Sequence, residues 1–295
     1  MMSLTQTLRM FLSWLCVFAH YEAWILRTRP RNSTGRVDVG DINIYFRRYG
    51  SGDPLVMLHG GFMFAETWAG QFPALSRECR LFAMYSRGHG RTTLGTGPLT
   101  YRQMAEDTAG LIERLELGPV HLIGWSDGGA TSIGVALGRP ELVRSMVLLG
   151  TPFNTDNYTD EAKRMISEFL QPHSLVLLGS RGIRRLMTPE PRRWVEFADQ
   201  MRRMWTELPD YTVEELSSID APTLVVACDR DEFFSLAKDP LHVFRETAAA
   251  IPHARMEVIP GGTHTVHMER PKTVNRLIFD FLNDVSTTRE TGGGT

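Results

Sequence analysis

With 295 residues, 42% of them hydrophobic and 22% charged, the chain can bury a large core and reads as one soluble globular domain carrying an insertion, which excludes wholesale disorder. A formal net charge of −2 offers no broad basic field, so nucleic acid is not an expected partner and a small molecule is. Cys16, Cys79 and Cys228 are odd in number, far apart and outside any CxxC or Cys/His spacing. That argues against a disulfide framework or structural zinc, leaves no metal or cofactor expected, and fits a reducing, cytoplasmic compartment.

In chain order, residues 8–26 come first, and the stretch from Met10 to Leu26, "MFLSWLCVFAHYEAWIL", is apolar on most sides, with Arg9 before it and Arg27, Arg29 and Arg31 after it. It is short and impure for a spanning helix, which wants about 20 apolar residues, and it has no A-x-A cleavage site. Two readings stand: a membrane-associated helix, spanning or interfacial, or a helix packed on the domain or a partner. With the polar linker "RTRPRNSTG" it accounts for residues 1–35.

"RVDVGDINIYFRRYG" then alternates on either side of Gly40-Asp41, a hairpin signature. Beyond it the strands become short solid apolar runs: "PLVMLHG", "RLFAMY", "PVHLIGW", "VRSMVLLG", "PTLVVAC" and "ARMEVIPGG". Solid runs indicate strands covered on both faces, hence an α/β fold with a mainly parallel central sheet and flanking helices. Between two of them, Tyr101, Met104, Thr108, Leu111, Ile112 and Leu115 share one helical face, behind Thr100 and Gln103 at capping-box spacing. Residues 153–219 contain helical patterns rich in Met, Trp and Arg and no strand. They read as a helical cap inserted after the sixth strand, over the sheet edge where ligands bind. The core is expected over 36–152 and 220–285, with 286–295 as a flexible tail.

"HLIGWSDGGATSIG", residues 121–134, wedges Ser126 between glycines at a strand-to-helix corner. Such a corner strains its apical residue and demands small neighbours, while the free N–H groups of the next helix can meet a developing oxyanion. Serine is a weak nucleophile alone and needs a base and a group to orient that base. "VVACDRDEF" ends one strand with acids, and "GGTHTVHMERP" follows the last strand with two histidines.

With His59-Gly60-Gly61 after an early strand and "SRGHGRT" after the next, these motifs in this order resemble the α/β-hydrolase superfamily from about residue 37 to 285. The resemblance implies an α/β-hydrolase fold and a catalytic triad. Its G-x-x-D acid loop falls on Cys228-Asp229-Arg230-Asp231, which makes Asp231 the acid, with Cys228 replacing the glycine and Asp229 as the neighbour that could substitute. Its H-x-E-x-P stretch matches His267, Glu269 and Pro271, so His264 is the base and His267 a structural hydrogen-bonder. Tyr85 stands where an Asp is usual, and His59 and His89 are expected to organise loops. Ser126 would attack a carbonyl, His264 would take its proton, and Asp231 would hold the imidazole. The oxyanion donors would be the N–H of Asp127 and that of Gly61 or Phe62.

The fuller string "GWSDGG" resembles the elbow of biphenyl hydrolase-like proteins, valacyclovir hydrolase-like esterases that act on amino-acid esters. The expected substrate is a small carboxylic ester. Asp127 has two readings, a first-turn acid that stabilises its helix or a partner for a substrate ammonium. Trp125, Trp194 and Trp205 are candidate substrate contacts, although Trp and Met at helical spacing, such as Met201 and Met204, also read as core. The same triad could serve a C–C bond hydrolase, a lactonase or a perhydrolase, and a non-catalytic binding protein of this fold is the rival outside enzymes. A serine at 126 excludes the carboxylate-nucleophile dehalogenases and epoxide hydrolases.

Overall fold

The computed structural model describes residues 33–158, 160–170, 181–182, 185–234 and 239–292, with positions 19, 22, 23 and 26 before them. The expected N-terminal helix therefore falls almost wholly outside the described residues. Among those described, no helix is long and apolar enough to cross a membrane.

Eight strands form one sheet: β1 (Ser33–Val39), β2 (Ile42–Tyr49), β3 (Asp53–Leu58), β4 (Cys79–Met84), β5 (Val120–Trp125), β6 (Val143–Leu149), β7 (Thr223–Cys228) and β8 (Ala254–Ile259). Their order is β1-β2-β4-β3-β5-β6-β7-β8. The first two make the expected antiparallel hairpin, with Val39 opposite Ile42 across a turn that Gly40 makes at φ +54°. From β3 to β8 every pairing is parallel.

The principal helices are α1 (Tyr101–Arg114), α2 (Asp127–Gly138), α3 (Asp160–Phe169), α4 (Trp194–Glu207), α5 (Val213–Ser217), α6 (His242–Ala250) and α7 (Pro271–Gly292). Alternate strand residues feed two cores. Val56, Leu58, Leu122 and Leu148 meet α1, α2 and α6 on one face, while Leu55, Met57, Ile123 and Val147 meet α7 on the other. Two-sided burial is why these strands read as solid apolar runs. The chain leaves β3 for β4 on one side and returns to β5 on the other, so β3 and β5 flank the switch point, the crevice where open α/β sheets bind ligands.

Half of the expected capping box forms at α1. The Thr100 hydroxyl accepts from the Gln103 N–H at 3.1 Å, but the Gln103 side chain turns away to donate to Asp107 at 3.3 Å. Asp107 also holds the buried Arg87 in a two-point ion pair. The cap interval carries α3, α4 and α5 and, among the described residues, only an isolated bridge between Asn154 and Asp210 as strand-like pairing. Phe197, Met201 and Met204 on α4 are buried in the core, and Arg202 and Arg203 are exposed beside Asp199.

The far end departs from expectation, since α7 runs on to Gly292 through a stretch read as a flexible tail. Leu282 and Val285 bury against the sheet, and the Ser286 and Thr287 hydroxyls bond back to the carbonyls of Leu282 and Asn283. Packing of that apolar stripe carries the helix past a composition that is poorly helical by itself.

Candidate active site

The corner between β5 and α2 explains its own sequence. Ser126 sits at φ +54°, ψ −118°, a conformation that a residue with a side chain adopts only when its surroundings impose it. Its N–H donates to Leu149 O at 2.9 Å, and its carbonyl accepts from the Gly129 and Ala130 N–H groups. The glycines are there because nothing larger fits. A Cβ at Gly124 would lie 2.3 Å from the Gly128 carbonyl oxygen, one at Gly128 2.2 Å from Leu58 O, and one at Gly129 1.9 Å from Thr151 Oγ1.

The loop after β7 carries the expected acid. Asp231 is fully buried, its Oδ1 accepts the Phe233 N–H at 3.1 Å, and its Oδ2 faces His264 Nδ1 at 2.8 Å. Asp229, the alternative, instead accepts the Gly261 N–H and cannot serve the imidazole. Cys228 does not disturb the loop, because it is still a strand residue paired with Ile259 and its thiol fills the space beside Gly262.

Burial pushes the His264 imidazole down, but the Asp231 charge, its hydrogen bond and the nearby Glu232 outweigh this and leave it raised. Ser126 and His264 open onto one cavity of about 160 Å³. They are not hydrogen-bonded to each other, a looseness that catalytic pairs commonly lose only when the reacting complex forms.

The loop expected to supply an oxyanion donor follows β3. Of the two expected donors, Phe62 is corrected by the structure. Its N–H, at a residue with φ +57°, donates to His89 Nε2 at 3.1 Å and is not free for substrate. The N–H groups of Gly61 and Asp127 have no acceptor among the described residues, and both residues line the cavity. His89 is itself held by Nδ1–H donation to Arg87 O at 2.9 Å. His59 ties the loop to its neighbour, accepting from the Ser86 N–H at 3.1 Å, and burial lowers it to about 4, so it is neutral. Both histidines thus organise loops, as expected. Tyr85, where an Asp is usual, fills the turn with its ring and donates its hydroxyl to Glu66 at 2.6 Å, beside the Arg47–Glu66 ion pair.

Asp127 is buried with each carboxylate oxygen engaged. Tyr101 Oη donates to Oδ1 at 2.9 Å, and the cap indole Trp205 Nε1 donates to Oδ2 at 2.8 Å. Burial raises the carboxyl to about 6 against the pull of these two donors. Of the three tryptophans, Trp125 and Trp205 line the cavity. Trp125 is buried and touches the cavity wall, but its N–H donates to the His264 carbonyl at 2.7 Å, so it holds the histidine loop. Trp194 does not line the cavity; its ring lies against Phe62 and Phe197, where α4 packs on the core.

His267 is no hydrogen-bonder either. Both ring nitrogens are buried without partners, between Trp68 and Trp125 at centroid distances of 4.7 and 4.6 Å. Burial, then the His264 charge, lowers it to about 3 and keeps it neutral.

Sequence reasoning missed several cavity residues: Met63, Tyr158, Ile166, Glu232, Phe233 and Phe234. The last three directly follow Asp231 in "CDRDEFF", and that adjacency was the available signal.

Comparison with known proteins agrees with this geometry. The chain belongs to the alpha/beta hydrolase family, whose model matches residues 55–277, and it is a hydrolase of that family. It is 26% identical over 251 residues to (E)-2-((N-methylformamido)methylene)succinate hydrolase of Acinetobacter baylyi, covering 81% of this chain and 93% of that protein. Serine hydrolase BPHL of Mus musculus is 25% identical, with 85% and 86% covered. Carboxylesterase CesB from Bacillus subtilis shares the fold, with a TM-score of 0.69 at 19% identity, covering 92% of this chain and 98% of that one.

Proposed function

We propose that the protein hydrolyses small carboxylic esters through an acyl-enzyme. Ser126 Oγ attacks the ester carbonyl while His264 Nε2 takes its proton, and Asp231 orients the imidazole and stabilises its charged form. The N–H groups of Gly61 and Asp127 receive the oxyanion, an interaction that contributes about 3 kcal/mol per donor to such transition states. His264 returns the proton to the departing alcohol, and water repeats the sequence to release the acid. The carrying observation is the 2.8 Å contact between His264 Nδ1 and a fully buried Asp231, on the cavity that also exposes the strained Ser126.

Met63, Ile166, Phe233 and Phe234 give that cavity an apolar wall suited to a compact acyl or alkyl group. No lysine or arginine lines it among the described residues, which favours neutral or cationic esters over a dicarboxylate such as a substituted succinate. Aminoacyl esters fall within this reading, with Asp127 on the cavity wall already accepting from Trp205 and Tyr101.

The test is labelling by a fluorophosphonate together with burst kinetics on p-nitrophenyl esters. Wild type should be labelled stoichiometrically and Ser126→Ala not at all. Labelling that survives in Ser126→Ala would defeat the assignment, and labelling without ester turnover would redirect it to lactone, peracid or C–C substrates.

A further inference from the structure

One cap side chain meets both the nucleophile corner and the loop after β3. Trp205, on α4, donates its indole N–H to Asp127 Oδ2 at 2.8 Å, and its ring meets the Phe62 ring edge-to-face at 5.4 Å. Gly61 closes the triangle. A Cβ there would lie 2.3 Å from Asp127 Oδ2 and 2.4 Å from Trp205 Cζ2, so the loop backbone is pressed against the carboxylate and the indole together. Tyr101, on α1, holds the same carboxylate through Oδ1 at 2.9 Å. The helix that carries the indole is anchored as well, because Gln200 accepts the Leu99 N–H at 2.8 Å and Arg193 donates to the Gly95 carbonyl at 2.6 Å.

Gly61 and Asp127 are the two residues whose N–H groups receive the oxyanion in the ester-hydrolase reading, and Trp205 touches both. We infer that Trp205 is a positioning residue for the oxyanion hole, holding the Gly61 loop and the first turn of α2 at the separation that a tetrahedral intermediate needs. This rests on the ester-hydrolase reading above. Donors of this kind act because they are already in place when charge develops, so a small shift of the loop weakens the reacting state and leaves the ground state nearly untouched. The cap thereby contributes to the rate as well as to the cavity wall. Asp127 gains a task that needs no charge on the substrate, which is to accept from the indole.

Two isomeric ketones separate this role from binding. With 1,1,1-trifluoropentan-2-one, Ser126 Oγ bonds to the carbonyl carbon, its proton passes to His264 Nε2, and the carbonyl electron pair moves onto the oxygen facing the two N–H groups; nothing leaves. Its isomer 5,5,5-trifluoropentan-2-one has an unactivated carbonyl and reports ground-state binding. Trp205→Phe keeps a ring against Phe62 and removes the indole N–H and the Cζ2 edge that backs Gly61. The inhibition constant of the first ketone should rise about tenfold relative to the second, and kcat on p-nitrophenyl acetate should fall by a similar factor with KM little changed. In fluorine NMR of the bound adduct, the hemiketal hydroxyl should ionise about one pH unit higher in the variant, a shift that a merely structural loss would not produce. An unchanged ketone ratio or an unchanged ionisation overturns the assignment. Equal binding of the two ketones by wild type means that no hemiketal forms, and then the ester-hydrolase reading falls and takes this one with it.

A measurement on the unaltered chain needs no folded variant. Linked equilibria are reciprocal, so a closed indole contact that favours the adduct about tenfold is itself favoured by the adduct to the same extent. The Trp205 indole N–H, identified by NMR through its contact with the Phe62 ring, should exchange with solvent about tenfold more slowly in the adduct than in the free protein. Equal exchange rates overturn the proposal.

Discussion

Trp205→Phe removes the indole N–H from Asp127 Oδ2 and leaves a buried carboxylate with the Tyr101 hydroxyl as its remaining donor. A hydrogen bond to an ionised group contributes about 1.5–3 kcal/mol, and one to a neutral group about 0.5–1.5 kcal/mol. The smaller ring adds a cavity cost that does not depend on pH. The carboxyl titrates at about 6, raised from 3.8 by burial. A raised acid contributes stability in full below its unfolded value and loses it as pH rises through the folded one. At 1.36 kcal/mol per pH unit, wild type therefore loses about 3 kcal/mol between those values.

Removing one donor raises the carboxyl further and extends the loss upward in pH. The variant should be destabilised by about 1 kcal/mol more at pH 8, where Asp127 is ionised, than at pH 5, where it is protonated. Urea unfolding at both pH values measures this, read as midpoint and slope. The same substitution in an Asp127→Asn background should show no such difference. Equal destabilisation at pH 5 and pH 8 would refute the idea that the cap indole holds a charge.

Three further outcomes are expected. His264 must be neutral to act as a base and its imidazole is raised, so kcat/KM should climb with pH along a limb centred above the ordinary imidazole value of 6.5. A pH–rate profile with its midpoint below 6.5 contradicts this. His89→Ala frees the Phe62 N–H and unsettles the loop that aims Gly61, so kcat should fall about tenfold with little change in KM, as for a partly misplaced oxyanion donor. A raised KM with kcat unchanged would assign His89 to substrate binding instead. Gly129→Ala drives a methyl into Thr151 Oγ1, Cγ2 and Cβ and should cost more than about 2 kcal/mol by overpacking, with Thr151→Gly in the same chain, which removes all three contacts, restoring most of it. Additive losses in the double variant would show that the corner is closed by something other than that contact.

Much of the site was legible because its signals are local. The glycines at 124, 128 and 129 stand where a Cβ cannot, the solid apolar runs of β3 to β7 mark strands covered on both sides, and Asp231 and His264 occupy loops directly after β7 and β8. What escaped depended on contacts between distant segments. Asp127 looks the same in the sequence whether solvent or Tyr101 and Trp205 meet it, and those partners lie 26 and 78 residues away. Trp194 and Trp205 share one helix, yet one packs against Phe62 and Phe197 and the other reaches the cavity.

By itself the sequence determined the strand rhythm and the strained corner at Ser126, because backbone sterics and burial periodicity act within a few residues. Tertiary structure alone decided that the Phe62 N–H is taken by His89, that Tyr101 and Trp205 close on Asp127, and how far α7 continues. Each of those depends on what a distant segment places opposite a group, and a partner's position in space is not written in its neighbours along the chain.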